Sequence, residues 1–213
     1  MVKHLINAAC SLSTVVANQV GFKRNNTMSK LYTLLMLVRE NTLLLGMKKR
    51  GFGVGKWNGF GGKVNENESI VDACQRELQE EAGITANDAT CVGRIIFEFE
   101  GEPLLMDVRV FRATAFTGEV TESEEMLPQW FAHDAIPFQQ MWLDDRLWLP
   151  ILLRDGKFAG YFLFRGHEQI LHYCLQPITS SESSEPPLSQ SAAELRDHLM
   201  KTVEVIYPTK NTL

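Results

Sequence analysis

This chain predicts a single α+β sandwich, a mixed β-sheet with helices packed on either face. Three observations carry that reading. Apolar runs of strand length recur between residues 30 and 176, while helical spacing is confined to two stretches, 70–82 and about 141–153. With 45% hydrophobic residues in 213, the chain can bury one good core and has some length left over. Composition then divides it into an N-terminal extension (1–29), one folded domain (30–176) and a C-terminal tail (177–213).

The first acidic residue is Glu40, and residues 1–27 carry Lys3, Lys23 and Arg24 among Ser, Asn and Ala. Such an acid-poor start reads equally as an organellar transit peptide or as an unstructured extension, with Met28 as an internal start. The domain opens with LYTLLMLVR and TLLLGMKK, strand runs joined by a hairpin-like turn at Glu40-Asn41. RGFGVGKWNGFGGK follows as a glycine-rich loop. A helix is predicted between Ser69, an N-cap three residues ahead of Asp72, and Gly83, which supplies a left-handed stop. CVGRIIFEFE and PLLMDVRVFRATAF are strand-like, GEVTESEEM is an acidic loop, and QWFAH is a short strand. The run from about Met141 to Leu153 is apolar on one side and predicts a second helix. KFAGYFLFRG and QILHYCLQ form a final hairpin about Gly166-His167. After Pro177 the composition turns to Ser, Glu, Pro and Gln, which predicts a disordered tail with at most a transient helix in SAAELRDHLMKTVEVI.

A formal net charge of −5 without a basic stripe argues against a nucleic-acid polymer as partner. Cys10, Cys74, Cys91 and Cys174 are scattered without ligand spacing, as free thiols in a reducing compartment are. No apolar run reaches membrane-spanning length.

The chemistry concentrates between Gly62 and Ile84, which read G-x5-E-x7-R-E-L-x-E-E-x-G-I. Glu77, Glu80 and Glu81 lie three and four positions apart, so their carboxylates share a helix face. Like charges so close lower helix stability unless they share a cation, and an oxygen-only ligand set suits Mg2+ or Mn2+. The preceding glycine-rich run ends in Gly61, Gly62 and Lys63, where backbone groups can approach a phosphate or metal closely. The plainer reading, a solvated acidic helix face, does not account for the fixed offsets of glycine, glutamate and arginine together.

That pattern is similar to the signature of the Nudix hydrolases, and every specified position is filled. From about Leu31 to Gln176 the chain further resembles the branch of that family acting on oxidised purine nucleoside triphosphates. LYTLL, GMKKRGFG, KWNGFGGKV, RELQEEAG, FEFEGEPLLMDV, ESEEM, MW-x-DD-x-x-W and GYF-x-F carry the match. The resemblance implies a Nudix α/β/α sandwich and hydrolysis of oxidised purine triphosphates such as 8-oxo-dGTP and 2-oxo-dATP to monophosphate and pyrophosphate. It implies Mg2+ as cofactor, with Mn2+ as an alternative, bound by Glu77, Glu80, Glu81 and the carbonyl of Gly61. Glu125 matches a further carboxylate that either binds metal or activates water. Arg76 is expected to orient the neighbouring glutamates, and Lys48 to reach the nucleotide.

Base selection is expected elsewhere, in MWLDD. There Trp142 can stack on a purine, and Asp144 and Asp145, adjacent in a closed pocket, cannot easily both ionise. One proton shared between them sets a donor beside an acceptor, and exchanging it lets one pocket read two oxidised bases. Asn58 offers donor and acceptor to the opposite edge. Thr33, Phe52, Phe97, Met106, Trp148 and Phe164 match the family's pocket wall, although each apolar one taken alone reads as core. Leu143 stands where family members carry proline. The implied partners are small nucleotides, met by a monomer in cytoplasm and nucleus, with a mitochondrial form if the extension targets it. Two alternatives stay open: a Nudix hydrolase of another nucleoside diphosphate derivative, and a nucleotide-binding Nudix module without activity. Methylated purine triphosphates are a closer variant.

Overall fold

The computed structural model describes residues 28–178 and 190–201. Its chain order is β1 (Met28–Arg39), β2 (Thr42–Lys48), β3 (Trp57–Asn58), α1 (Ile70–Ala82), β4 (Ile84–Ala86), β5 (Thr90–Phe99) and β6 (Leu104–Ala113). There follow β7 (Phe116–Gly118), β8 (Met126–Ala132), α2 (Asp145–Leu152), β9 (Lys157–Arg165), β10 (Gln169–Ile178) and α3 (Ala192–Lys201). The main sheet runs β10-β9-β5-β6-β1-β2-β3, with β8 also on β2. It is mixed, because β1 lies parallel to β6 and β5 parallel to β9 while the remaining pairs are antiparallel.

The alternation along β1 explains its continuous apolar run. Leu35 and Leu37 pack with Cys74, Leu78 and Ala82 of α1, whereas Met36 and Val38 share a cluster with Trp148, Leu149 and Leu152 of α2. Both faces of a central strand are buried, so no polar alternation survives in the sequence. The hairpin turns at Glu40 and Asn41 with Leu37 opposite Leu44, and Glu40 takes the left-handed conformation (φ 51°). Ser69 caps α1 by accepting the Asp72 N–H at 3.0 Å, and Gly83 ends it at φ 73°.

Several expectations are corrected. The second helix begins at Asp145 rather than near Met141, because Asp145 accepts the Trp142 N–H on its side chain and holds residues 142–145 as a turn. β1 takes in Met28 and Ser29, which pair with Leu104 and Leu105, so these belong to the domain and not to the extension. The tail is not unstructured throughout. α3 is started by a capping box, with Ser191 Oγ accepting from Glu194 N–H and Glu194 accepting from Ser191 N–H. Its Ala192, Leu195 and Leu199 are buried against Ile96, Leu105, Ala159, Tyr161 and Cys174 of the sheet. A small sheet of β4 and β7, antiparallel, went unread because each strand has only three residues. Expectations for residues 1–27, 179–189 and 202–213 lie outside the described residues. Among the described residues no helix is long and apolar enough to cross a membrane, and Cys74 is a buried free thiol.

Candidate active site

Two adjoining depressions share Lys48, Arg50, Gly61, Gly62 and Glu125. The first is a cavity of about 480 Å³, mostly apolar, walled by Phe52, Phe97, Phe99, Met106, Trp142 and Phe164. Besides the shared Lys48, Arg50 and Glu125, the residues Thr33, Asn58, Asp144 and Asp145 supply polar groups to it. The second is acidic and takes in Lys63, Glu77, Glu80 and Glu81. An apolar chamber with a few convergent polar groups, opening onto carboxylates, suits a ligand with a flat ring at one end and charge at the other.

α1 builds the acidic side. Burial of its apolar stripe turns Glu81 inward, where it is 2% exposed. Glu81 Oε2 accepts the Gly61 N–H at 2.9 Å and Oε1 accepts from Lys48 Nζ at 2.9 Å. The same ammonium reaches Glu125 Oε2 at 3.0 Å, and Arg50 holds the other oxygen of Glu125 at 2.6 Å. Burial raises the Glu81 pKa above the usual carboxylate range, and the Lys48 and Gly61 hydrogen bonds only temper it. Burial works against the Lys48 ammonium, but Glu81 and Glu125 outweigh it and raise its pKa. Hydrogen bonds from Lys48 and Arg50 lower that of Glu125.

Arg76 lies behind this surface and lines neither depression. It donates to Glu77 at 2.8 Å and to Glu80 at 3.2 Å, while its two-pronged grip is on Glu68, at 2.8 and 3.1 Å. Sequence reasoning passed over Glu68 in the signature as a role; its spacing eight residues before Arg76 was the available signal. Gly62 cannot be replaced without a shift, since a Cβ there would lie 2.5 Å from the Glu77 carboxylate.

The donor set is carboxylate and backbone oxygen, which fits a hard divalent ion in chemistry. Among the described residues the carboxylates are not gathered into a ready cluster of three ligands. Lys48 instead bridges Glu81 and Glu125, and Arg76 bridges Glu77 and Glu80, the two cations balancing the charge of the glutamate face.

Among the cavity residues that the acidic depression does not share, Asp144 and Asp145 are both 2% exposed. Asp144 accepts from Trp148 Nε1 at 2.9 Å, and Asp145 accepts the Trp142 N–H at 3.0 Å. Burial pushes the Asp144 carboxyl up to about 6, against the pull of the Trp148 hydrogen bond. Burial, with the charge of Asp144 adding to it, raises Asp145 well above its ordinary value. Trp148 itself is 0% exposed and does not reach the cavity wall, so it positions Asp144 rather than touching a ligand. Thr33 Oγ1 is buried in the wall without a partner. Asn58 Oδ1 accepts the Gly59 N–H at 2.8 Å. Phe99 lines the cavity beside Phe97 and was missed, although strand alternation two residues on was a usable signal.

The family profile described as the NUDIX domain matches residues 29–152. The oxidized purine nucleoside triphosphate hydrolase of Danio rerio is 55% identical over 150 residues, 70% of this chain and 96% of that protein. The protein of the same description from Mus musculus is 53% identical over 152 residues, 71% of this chain and 97% of its own length. Among solved structures, the mutator MutT protein of Bacillus halodurans superposes with a TM-score of 0.63 at 28% identity, covering 69% of this chain and 97% of that one. A family profile spanning more than half of the chain, relatives matched over nearly their whole length and a shared fold together place this chain in the Nudix hydrolase family.

Proposed function

We propose that this chain hydrolyses oxidised purine nucleoside triphosphates to the monophosphate and pyrophosphate, using Mg2+. The observation that carries the reading is the buried Asp144–Asp145 pair beside Trp142, in the lining of a cavity that adjoins the glutamates of α1. Two carboxyls so placed hold one proton between them at neutral pH, because desolvation and mutual repulsion oppose double ionisation. The pair then offers a donor and an acceptor to the altered edge of an oxidised purine, with Asn58 and the unpartnered Thr33 hydroxyl for its other atoms. The activity of the Danio rerio and Mus musculus relatives supports the same substrate class.

Water adds across a phosphoanhydride, releasing pyrophosphate and leaving the monophosphate. Lys48, Arg50 and the backbone at Gly61 and Gly62 lie where the two depressions meet and hold the polyphosphate there. Glu77, Glu80, Glu81, Glu125 and the Gly61 carbonyl would hold the divalent ion, which when bound neutralises charge on the phosphate oxygens. Arg76 keeps Glu77 and Glu80 oriented through its anchor on Glu68. We further read the enzyme as a monomer of cytoplasm and nucleus, with a mitochondrial form if residues 1–27 act as a targeting segment.

The test is pyrophosphate release with and without Mg2+ across a panel. The panel holds 8-oxo-dGTP, 2-oxo-dATP, a methylated purine triphosphate, dGTP, dATP, ADP-ribose and a dinucleotide polyphosphate. Oxidised purines should lead in kcat/KM and turnover should require the metal. Preference for ADP-ribose or the dinucleotide would overturn the reading.

A further inference from the structure

Beside the base cavity, His167, Glu168 and Lys56 make contacts with its wall that the proposed chemistry leaves unused. Phe52 stands between Gly51 (φ 74°) and Gly53 (φ 79°), with Gly55 (φ 80°) close behind, and is 54% exposed. Its ring nevertheless lies stacked on Trp142, centroids 5.0 Å apart and planes 19° apart. His167, in the turn joining β9 to β10, meets both rings edgewise, 5.0 Å from Phe52 and 5.2 Å from Trp142. Beside it Glu168 pairs with Lys56 Nζ at 3.1 Å, and that ammonium stands 5.3 Å from the Trp142 ring centre. The glycine loop and the β9–β10 turn therefore touch each other at the residue assigned to stack on the base.

Nothing lies within 4 Å of a Cβ built at Gly51 or Gly55, so these glycines answer a need for left-handed backbone and not for space. A loop of such residues is costly to order. Left free, it would have to be ordered whenever a base bound, and that cost would weaken binding. The cavity of about 480 Å³ is present with Phe52 already in its wall, so the contacts across the mouth hold a formed pocket and do not block it. His167 is absent from the cavity lining, so it cannot read the base directly.

We propose that His167 and Glu168 form a latch on the glycine loop that pre-organises the base pocket, making them positioning residues for base affinity. The proposal rests on the oxidised-purine reading for its substrate but not for the latch itself. It is tested in the full-length protein with His167→Ala/Glu168→Ala and with His167→Phe, which restores a ring. The measurements are KM and kcat for 8-oxo-dGTP, Kd from Trp fluorescence, and the rate of trypsin cleavage after Arg50 in the free protein. The double variant should raise KM and Kd about three- to tenfold, as expected for lost edge-on ring contacts, with kcat within about twofold. His167→Phe should recover most of that affinity, and cleavage after Arg50 should accelerate only in the double variant. Unchanged Kd and unchanged cleavage would overturn the latch, as would a fall in kcat with KM unmoved. A wild-type protein inactive on oxidised purines would instead overturn the function reading, and the cleavage rates would then decide the latch alone.

Discussion

Replacing Asp144 by Asn should stabilise the protein at neutral pH while damaging base discrimination, and the structure sets the size of both effects. Asp144 is fully buried, and its carboxyl titrates at about 6 in place of an ordinary 3.8. Well below pH 4 the group is protonated in folded and unfolded chains alike, so it costs nothing. Between there and pH 6 the unfolded chain ionises first, and stability falls as pH rises. Above pH 6 the whole penalty is present, ~3 kcal/mol for a shift of that size. Asn cannot ionise, yet its Oδ1 can still accept from Trp148 Nε1, which now donates at 2.9 Å. Asp144→Asn should therefore gain up to ~3 kcal/mol at pH 8, a rise in Tm of roughly 6–12 °C for a chain of this size. At pH 4 the gain should shrink to about 0.5 kcal/mol, because the unfolded carboxyl is only partly ionised there. Thermal melts at both pH values read the difference. In the same variant kcat/KM for 8-oxo-dGTP and 2-oxo-dATP should fall unequally, about ten- to a hundredfold for the base that needs the lost ionised form. A stability change that is the same at both pH values would refute the assignment of a buried, raised carboxyl. Equal small losses on both nucleotides and on dGTP would refute the shared-proton account of base choice.

Glu81→Gln should keep the fold, since Gln can still accept the Gly61 N–H, and should lose more than the ~10–100-fold typical of removing an outer partner of a metal site. Circular dichroism with steady-state kinetics checks it, and near-normal turnover would sink the role given to the glutamate face. Leu195→Ala should lower stability by ~2–5 kcal/mol, because the side chain is 1% exposed in the cluster under α3. An unchanged urea midpoint would mean that α3 does not stay docked in solution.

What could be read from residues alone was local. Ser69 and Gly83 mark the ends of α1 because a cap is a contact between residues three or four apart. The Glu40-Asn41 turn, the glutamate face and the adjacent aspartates were legible for the same reason, and the Nudix signature is itself one contiguous stretch. The tertiary structure decided what depends on residues distant in the chain. Pairing of β1 with β6 sets residues 28–37 beside 104–113, and no local pattern announces a parallel partner. Trp148 matched a pocket-wall position, yet the turn of α2 buries it behind Asp144, where its indole N–H sets a carboxyl instead of meeting a base. Lys48 matched a nucleotide contact, and only the approach of β2 to α1 and to the loop before β8 sets it between Glu81 and Glu125, where the two depressions meet. α3 is the sharpest case. Its polar flanks hide a short apolar stripe whose helix is stabilised by burial on Ile96, Leu105 and Tyr161, and burial against distant strands leaves no mark in composition.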